Sequence, residues 1–272
     1  MNSLKWINTF AFLAMIGVNI AANIIPIGGS TTGDVSKAYP NLFTPAPVTF
    51  AIWGIIYILL ALFIIFQWGF IGTRISSEAV RRAIGFSFTL SCALNIAWIF
   101  AWHMKKIELS TLLIILLLIN LIVITRRIGK LPSSLLTSLM VNLGFDLYFG
   151  WLIAATIANI CVMLVKRQWN RFGMSEVFWT IIILIVGACI ASAVVFIGNR
   201  YFAGIAVIWA YVGIIIKHLM KGAGGVSGGA GGYAGQYPLI VCVAALGIVL
   251  ISVTTIYRLF VPNPRCRVSS IS

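Results

Sequence analysis

The fold is indicated most directly by residues 148–159, which read YFGWLIAATIAN and lie inside a longer apolar run. Spacings of three, four and four residues place Tyr148, Trp151, Ala155 and Asn159 on one face of a helix. An amide in hydrocarbon needs a polar partner, so Asn159 is expected to face the interior of a helix bundle or a ligand. The stretch therefore predicts a membrane-spanning helix with a functional face.

The composition of the whole chain fits this interpretation. The chain has 272 residues, of which 61% are hydrophobic and 9% charged, whereas soluble domains carry about 25% charged residues. Apolar runs of about 20 residues can cross a bilayer, and they must be helical because the backbone finds no water there. Eight runs are candidates: 7–25, 47–68, 83–103, 109–125, 137–165, 177–197, 201–219 and 238–260. The sequence therefore predicts an all-α integral membrane protein with about eight transmembrane helices.

The charge distribution supports a membrane protein and argues against binding to nucleic acid. The net charge is +14, but the basic residues are scattered through short loops, as in Arg81-Arg82 and Lys166-Arg167. Lys and Arg that flank helices set membrane topology and contact anionic headgroups. We therefore expect the lipid bilayer as a partner, no nucleic acid, and a multi-pass protein of the cell membrane.

Two further helices carry aromatic and amide side chains at helical spacing. Trp53 and Tyr57 are neighbours four residues apart in the second run, and Asn95, Trp98 and Trp102 share a face in the third. Tryptophan often marks the interface between membrane and water, which suits Trp102 near the end of its run, but the other rings lie inside their runs. We expect them to line a shared cavity; the alternative is tight packing with hydrogen-bonded indoles.

Asp146 is the only acid well inside a candidate span. A carboxylate in the membrane is a candidate functional group, because it must be protonated, paired or in a wet cavity. Asn142 lies one turn earlier and could pair with it. The alternative is that the fifth helix begins later, which would leave Asp146 at the interface.

The sequence contains no motif for an enzyme or a metal centre. No nucleophile, base and orienting group occur together. The five cysteines are separated and show neither a metal-binding spacing nor a disulfide framework. We therefore expect no catalytic residues and no metal.

Three motifs resemble those of the translocator protein family, also called the tryptophan-rich sensory proteins. Phe43-Thr44-Pro45 precedes Trp53-x-x-x-Tyr57, the third run contains Ala93-Leu94-Asn95-x-x-Trp98, and the fifth contains Tyr148-x-x-Trp151 with Asn159 eight residues later. The resemblance covers residues 1–166, where small family members end as five-helix bundles. The remaining helices resemble an extended branch of the family.

This resemblance implies a division of the chain. It suggests a five-helix bundle at 1–166, two further helices within 167–221, a Gly-rich linker at 222–237, a last helix at 238–260 and a disordered tail at 261–272. Leu147 replaces the family's proline, and the residues after Asn159 lack the tyrosine and arginine of a cholesterol-recognition motif.

The resemblance also implies a pocket between helices, closed by the loop after the first helix, for porphyrins and other flat hydrophobic ligands. The residues that it assigns to the pocket are Trp53, Tyr57, Asn95, Trp98, Tyr148, Trp151, Ala155 and Asn159. We expect a membrane receptor for tetrapyrroles, with a sensory role as one form of it and porphyrin or haem as the candidate ligand. A membrane transporter and a porphyrin-modifying activity are the alternatives. A homodimer is expected from the family.

Overall fold

The computed structural model describes residues 2–25, 27–132, 134–221 and 232–261. Most of the predicted Gly-rich linker at 222–237, and nearly all of the predicted tail at 261–272, lie outside these residues. Where the chain is described it is helical and contains no strand.

The longer elements are α1 (Asn2–Ile24), α3 (Ile52–Trp68), α4 (Arg74–Ile84), α5 (Ser87–His103), α6 (Ile107–Ile128), α8 (Leu143–Lys166), α9 (Glu176–Gly198), α10 (Tyr201–Leu219) and α11 (Pro238–Phe260). Two short helices are α2 (Thr32–Lys37) and α7 (Leu135–Thr137). Single 3-10 turns occur at Ile27–Gly29, Pro47–Ala51 and Arg171–Gly173, and a π-helical turn spans Ser138–Asn142.

Seven helices in the described part of the chain are long and apolar enough to cross a membrane. The number becomes eight if α4 and α5, which meet at a 54° bend, form one broken span. The bend falls at Gly85, whose φ of 56° lies in a region that residues with a Cβ avoid. The prediction of an all-α multi-pass membrane protein is confirmed, and the predicted run 83–103 contains this break.

The residues group into two compact units. Unit 1 comprises Met1–Val35 and Ile52–Leu152, and unit 2 comprises Ser36–Ala51 and Ile153–Ser272. In unit 1, α5 packs against α1 and α6, while α3 packs against α1, α4 and the π-helical turn. A close approach occurs at Gly144, where an added Cβ would lie 3.1 Å from the Leu59 Cβ. The division at residue 166 suggested by the resemblance stays a prediction.

A polar clasp, formed by Asn8, Gln67 and Thr89, ties three helices of unit 1 together. The Asn8 amide donates to Gln67 Oε1 (3.1 Å), and the Thr89 hydroxyl donates to Asn8 Oδ1 (2.8 Å). Asn8 and Gln67 are fully buried. Because a buried amide is costly unless it is hydrogen-bonded, the clasp fixes how α1, α3 and α5 meet.

In unit 2, small residues allow α9, α10 and α11 to pack closely. The Tyr211 hydroxyl lies beside Gly187 and donates to the Leu184 carbonyl at 2.5 Å. Ala188 faces the backbone of Gly247, where an added Cβ would lie 3.3 Å away. Small residues are typical of close helix contacts in membranes. Gly187 and Ala188 thus make contacts within one chain, whereas the expected homodimer stays a prediction.

The segment Ser36–Ala51 is held against α10 by hydrogen bonds that span a long stretch of sequence. The Ala46 N–H donates to the Gly213 carbonyl (3.0 Å), and the Trp209 indole donates to the Thr49 carbonyl (2.8 Å). Gly213 is needed at this point, because a Cβ there would collide with the Thr49 side chain. The segment is therefore an integral part of unit 2.

Candidate functional site

The first half of the candidate site is an aromatic cluster in unit 1, formed by Trp53, Tyr57, Trp98, Trp102, Tyr148 and Trp151. Trp53 is its centre: its ring centroid lies 5.5 Å from Tyr57, 6.0 Å from Trp98, 5.6 Å from Tyr148 and 6.2 Å from Trp151. The Tyr57 ring stacks on Trp53 and the Trp98 ring is tilted by 31° to it, whereas Tyr148 and Trp151 meet it edge-on. Both arrangements are favourable for aromatic pairs.

Helical spacing explains why these rings converge. Trp53 and Tyr57 are one turn apart on α3, and so are Trp98 and Trp102 on α5, where their rings stack at 5.9 Å. Tyr148 and Trp151 share a face of α8. The rings of Tyr148, Trp98, Trp102 and Trp151 are buried, while Trp53 and Tyr57 are partly exposed. Trp53 therefore has the most accessible indole of the cluster.

An amide network of Asn19 and Asn95 joins the two phenols of the cluster. The Tyr57 hydroxyl donates to Asn19 Oδ1 (2.7 Å), and the Asn19 amide donates to Asn95 Oδ1 (2.8 Å). The Asn95 amide in turn donates to the Tyr148 hydroxyl (3.2 Å). Buried amides with partners on other helices hold those helices in one arrangement. The network therefore fixes α1, α3, α5 and α8 around the rings.

The described part of the loop after α1 is tied to the end of α5. The Trp102 indole donates to the Thr32 carbonyl (3.1 Å), and the Thr32 hydroxyl lies 3.4 Å from His103 Nε2. Gly28, with φ of 66°, lies so near that an added Cβ would be 3.2 Å from the His103 carbonyl oxygen. The loop thus contacts the aromatic cluster through Trp102.

The chain matches a known protein family. The family described as TSPO-like protein matches residues 5–257. The chain belongs to the TSPO-like protein family. No curated protein and no solved structure matches it significantly.

The family match extends beyond residues 1–166, which carry the three motifs. It includes α9, α10 and most of α11. These three helices therefore belong to the region that this TSPO-like protein shares with its family. Family membership supports a membrane protein that binds or transports a ligand.

The structure brings six of the eight predicted pocket residues together in unit 1: Trp53, Tyr57, Asn95, Trp98, Tyr148 and Trp151. The other two, Ala155 and Asn159, follow on α8 within unit 2. Ala155 is partly exposed and Asn159 is 3% exposed. Their part in ligand binding stays a prediction, as does that of the other six.

Asn19 and Trp102 belong to this arrangement but are absent from the predicted set. Asn19 is a buried amide in a largely apolar helix, and an amide inside a predicted span is a signal in the sequence, because such a residue needs a partner. Trp102 follows Trp98 by four residues, the spacing of helix neighbours. Its position near a predicted helix end made a role at the membrane interface equally suitable.

Asp146 is 4% exposed and lies within the 32-residue candidate span Leu135–Lys166. The helical segment begins well before it, at Leu135, and includes the π-helical turn that ends at Asn142. Asn142 is partly exposed. This position favours a carboxyl group inside the span over one at the interface.

The described residues offer no obvious place for a metal ion. Nowhere in the described ranges do three or more His, Cys, Asp or Glu side chains come together. His103 Nδ1 lies 2.8 Å from the Ile99 carbonyl oxygen, and Nε2 faces Thr32. Both nitrogens of His103 thus have neighbours on the protein, and the ring serves to hold the loop.

Proposed function

We propose that this TSPO-like protein binds porphyrins, or flat hydrophobic molecules of similar chemistry, at the aromatic cluster of unit 1. The observation that supports this proposal is the convergence of Trp53 with three further indoles and two phenols inside helices of unit 1. Flat aromatic ligands stack on such rings, and a few fixed polar groups set their orientation. The Asn19–Asn95 network supplies those polar groups. A sensory role would use the same binding step.

The ring spacing indicates how a ligand would enter. A flat molecule between two rings needs the rings to be about 7 Å apart, twice the optimal contact distance of roughly 3.5 Å. The centroids of Trp53 and Trp98 are 6.0 Å apart, so these rings contact each other. A porphyrin must therefore displace one of these rings or stack on the outer face of Trp53. In both cases Trp53 touches the ligand.

The experiment that tests this proposal is a titration of the purified protein with protoporphyrin, followed by the shift of the porphyrin absorption band. The Trp53→Phe variant keeps a ring but loses stacking area, so we expect roughly two- to tenfold weaker binding. Trp6→Phe is the matched control, because Trp6 is 52% exposed and packs on Trp68 and Phe10, away from the cluster. Equal affinities for the two variants, or no saturable binding by the unaltered protein, would contradict the proposal.

Transport is the second candidate function, and the buried Asp146 favours it. Proton-coupled transporters carry ionisable residues inside their spans, which exchange protons as the substrate crosses. If Asp146 has this role, the Asp146→Asn variant should lose proton-gradient-driven uptake of porphyrin into proteoliposomes. Glu78→Gln is the control, because Glu78 lies on the surface and pairs with Arg82 at 2.6 Å. Full uptake by the Asp146→Asn variant would exclude proton coupling at this residue.

A further inference from the structure

Unit 2 contains a cavity of about 190 Å³ that the aromatic cluster does not include. Its walls come from the segment 40–43, the last turns of α8, the following loop and the first two turns of α9. Since α8 and α9 are membrane spans, the cavity lies where two spans end. It would therefore be reached from the region of the lipid headgroups.

The cavity is lined by one acid and one base. Glu176 is the only acid in the sequence of unit 2. Its Oε1 accepts the Leu42 N–H at 2.9 Å, which fixes the carboxylate, and its other oxygen has no hydrogen bond among the described residues. Arg171 also lines the cavity, and no ion pair joins it to Glu176 in the described part of the chain. An acid and a base thus line one cavity without an ion pair between them among the described residues.

Glu176 also interacts with residues near the end of α10 and in the loop before α11. Its charge acts on Lys217, whose ammonium lies over the Tyr233 ring at 5.6 Å. Burial, followed by the charges of Glu176 and Tyr237, raises the pKa of Tyr233 to about 12. The Tyr233 phenol is therefore neutral at ordinary pH and donates to the Asn41 carbonyl at 3.1 Å. These contacts hold the wall of the cavity around Glu176 in place.

Two indoles contribute to the apolar part of the cavity wall. The rings of Trp169 and Trp179 lie 5.1 Å apart at an angle of 57°, and both line the space beside Glu176. The Trp179 indole donates to the Arg171 carbonyl at 2.9 Å, so its ring is fixed. Indole faces attract ammonium groups, and they do so more strongly when a carboxylate is close by. This combination is typical of sites for organic cations.

We propose that this cavity binds a zwitterionic phosphate–ammonium group. Its ammonium would lie against Glu176 and the indoles of Trp169 and Trp179, and its phosphate would face Arg171. An isolated cation would be repelled by Arg171, and an isolated anion by Glu176, so a group carrying both charges fits the walls best. This chemistry belongs to the headgroup of a zwitterionic phospholipid and to free phosphoethanolamine. The proposal does not depend on porphyrin binding in unit 1.

The test compares lipid retention by native mass spectrometry after the full-length protein is extracted from mixed phosphatidylethanolamine and phosphatidylglycerol bilayers. In Glu176→Gln the side-chain oxygen can still accept the Leu42 N–H, so the fold is kept while the charge is removed. We expect this variant to lose the preference for phosphatidylethanolamine by about tenfold. Glu108→Gln is the matched control, because Glu108 is also an acid in the first turn of a spanning helix. It should retain lipid as the unaltered protein does.

A second variant tests the positive charge of Arg171, so that the conclusion does not depend on the correct folding of Glu176→Gln alone. Arg171→Gln should weaken retention of phosphatidylethanolamine, since its phosphate would lose the guanidinium that it faces. Calorimetry with free phosphoethanolamine distinguishes the sources: binding of the free molecule assigns the site to the soluble group, and binding of lipid alone assigns it to the bilayer. The proposal is overturned if phosphatidylglycerol is retained as well as phosphatidylethanolamine, if Glu176→Gln behaves like Glu108→Gln, or if neither lipid nor phosphoethanolamine binds.

Discussion

Asn19 is the residue on which the arrangement of unit 1 depends most. It accepts from Tyr57 and donates both to Asn95 and to the Met15 carbonyl of its own helix. Replacing it by Leu would leave the Tyr57 phenol and the buried Asn95 amide oxygen without these partners. Interhelical hydrogen bonds in membranes contribute about 0.6 kcal/mol on average and about 1.7 at most. The loss of two should therefore destabilise the protein by about 1–3 kcal/mol.

The measurement for Asn19→Leu is the unfolding midpoint in a denaturing detergent titration. The control is Asn120→Leu, since Asn120 is also a buried amide of unit 1 but makes one side-chain hydrogen bond among the described residues, to the Ser87 carbonyl at 2.8 Å. The control should cost only about 0.6 kcal/mol. Equal midpoints for the two variants would show that the network adds nothing beyond one ordinary hydrogen bond.

Individual site residues could be predicted where a helix carries its own pattern. Trp53 with Tyr57, and Tyr148 with Trp151, are visible because their spacing puts both members on one face. Asn19 shows no such pattern, because its partners lie 38 and 76 residues further along the chain. A single sequence indicates that such an amide needs a partner but does not indicate which one.

At the scale of elements, apolar length predicted the spans well, because the bilayer imposes that length on any helix that crosses it. Apolar length did not predict where a span departs from a regular α-helix. The run 83–103 is interrupted at Gly85, and the run 137–165 begins with a π-helical turn at Ser138–Asn142. Both features depend on backbone conformation and hydrogen-bond register, which apolar composition does not encode. The bend between α4 and α5 is thus a finding of the structure.

The contacts of the loop that precedes α3 could not be predicted either. Most of segment Ser36–Ala51 lies between the first two predicted spans, within the loop that the resemblance expects to close a pocket. The residues that hold it are far away in sequence: the Trp209 indole donates a hydrogen bond to the Thr49 carbonyl, and the Tyr233 hydroxyl donates one to the Asn41 carbonyl. The segment belongs to the helices at the end of the chain, and local propensity carries no information about such distant partners.

At the scale of the whole molecule, these hydrogen bonds bear on whether residues 1–166 could form an independent five-helix bundle. A fragment that ends at residue 166 lacks α10 and Tyr233. It would lose the hydrogen bond between His218 and the Leu42 carbonyl (2.9 Å) and the one from the Trp209 indole to the Thr49 carbonyl (2.8 Å). It would also lose the hydrogen bond from the Ala46 N–H to the Gly213 carbonyl (3.0 Å). Backbone groups buried without partners are costly. We therefore expect segment 36–51 to detach in the fragment.

Limited proteolysis in one detergent measures this directly. The full-length protein should resist cleavage within 36–51, whereas the 1–166 fragment should be cut there at least about tenfold faster, because local opening with a lower free energy exposes the backbone more often. The full-length Trp209→Phe variant loses one of these hydrogen bonds, and its cleavage rate should stay close to that of the unaltered protein. This control distinguishes the loss of a helix from the loss of a single contact. If the fragment resists cleavage as well as the full chain, the five-helix bundle holds the segment by itself. The last three helices would then be an addition to a complete fold rather than a part of it.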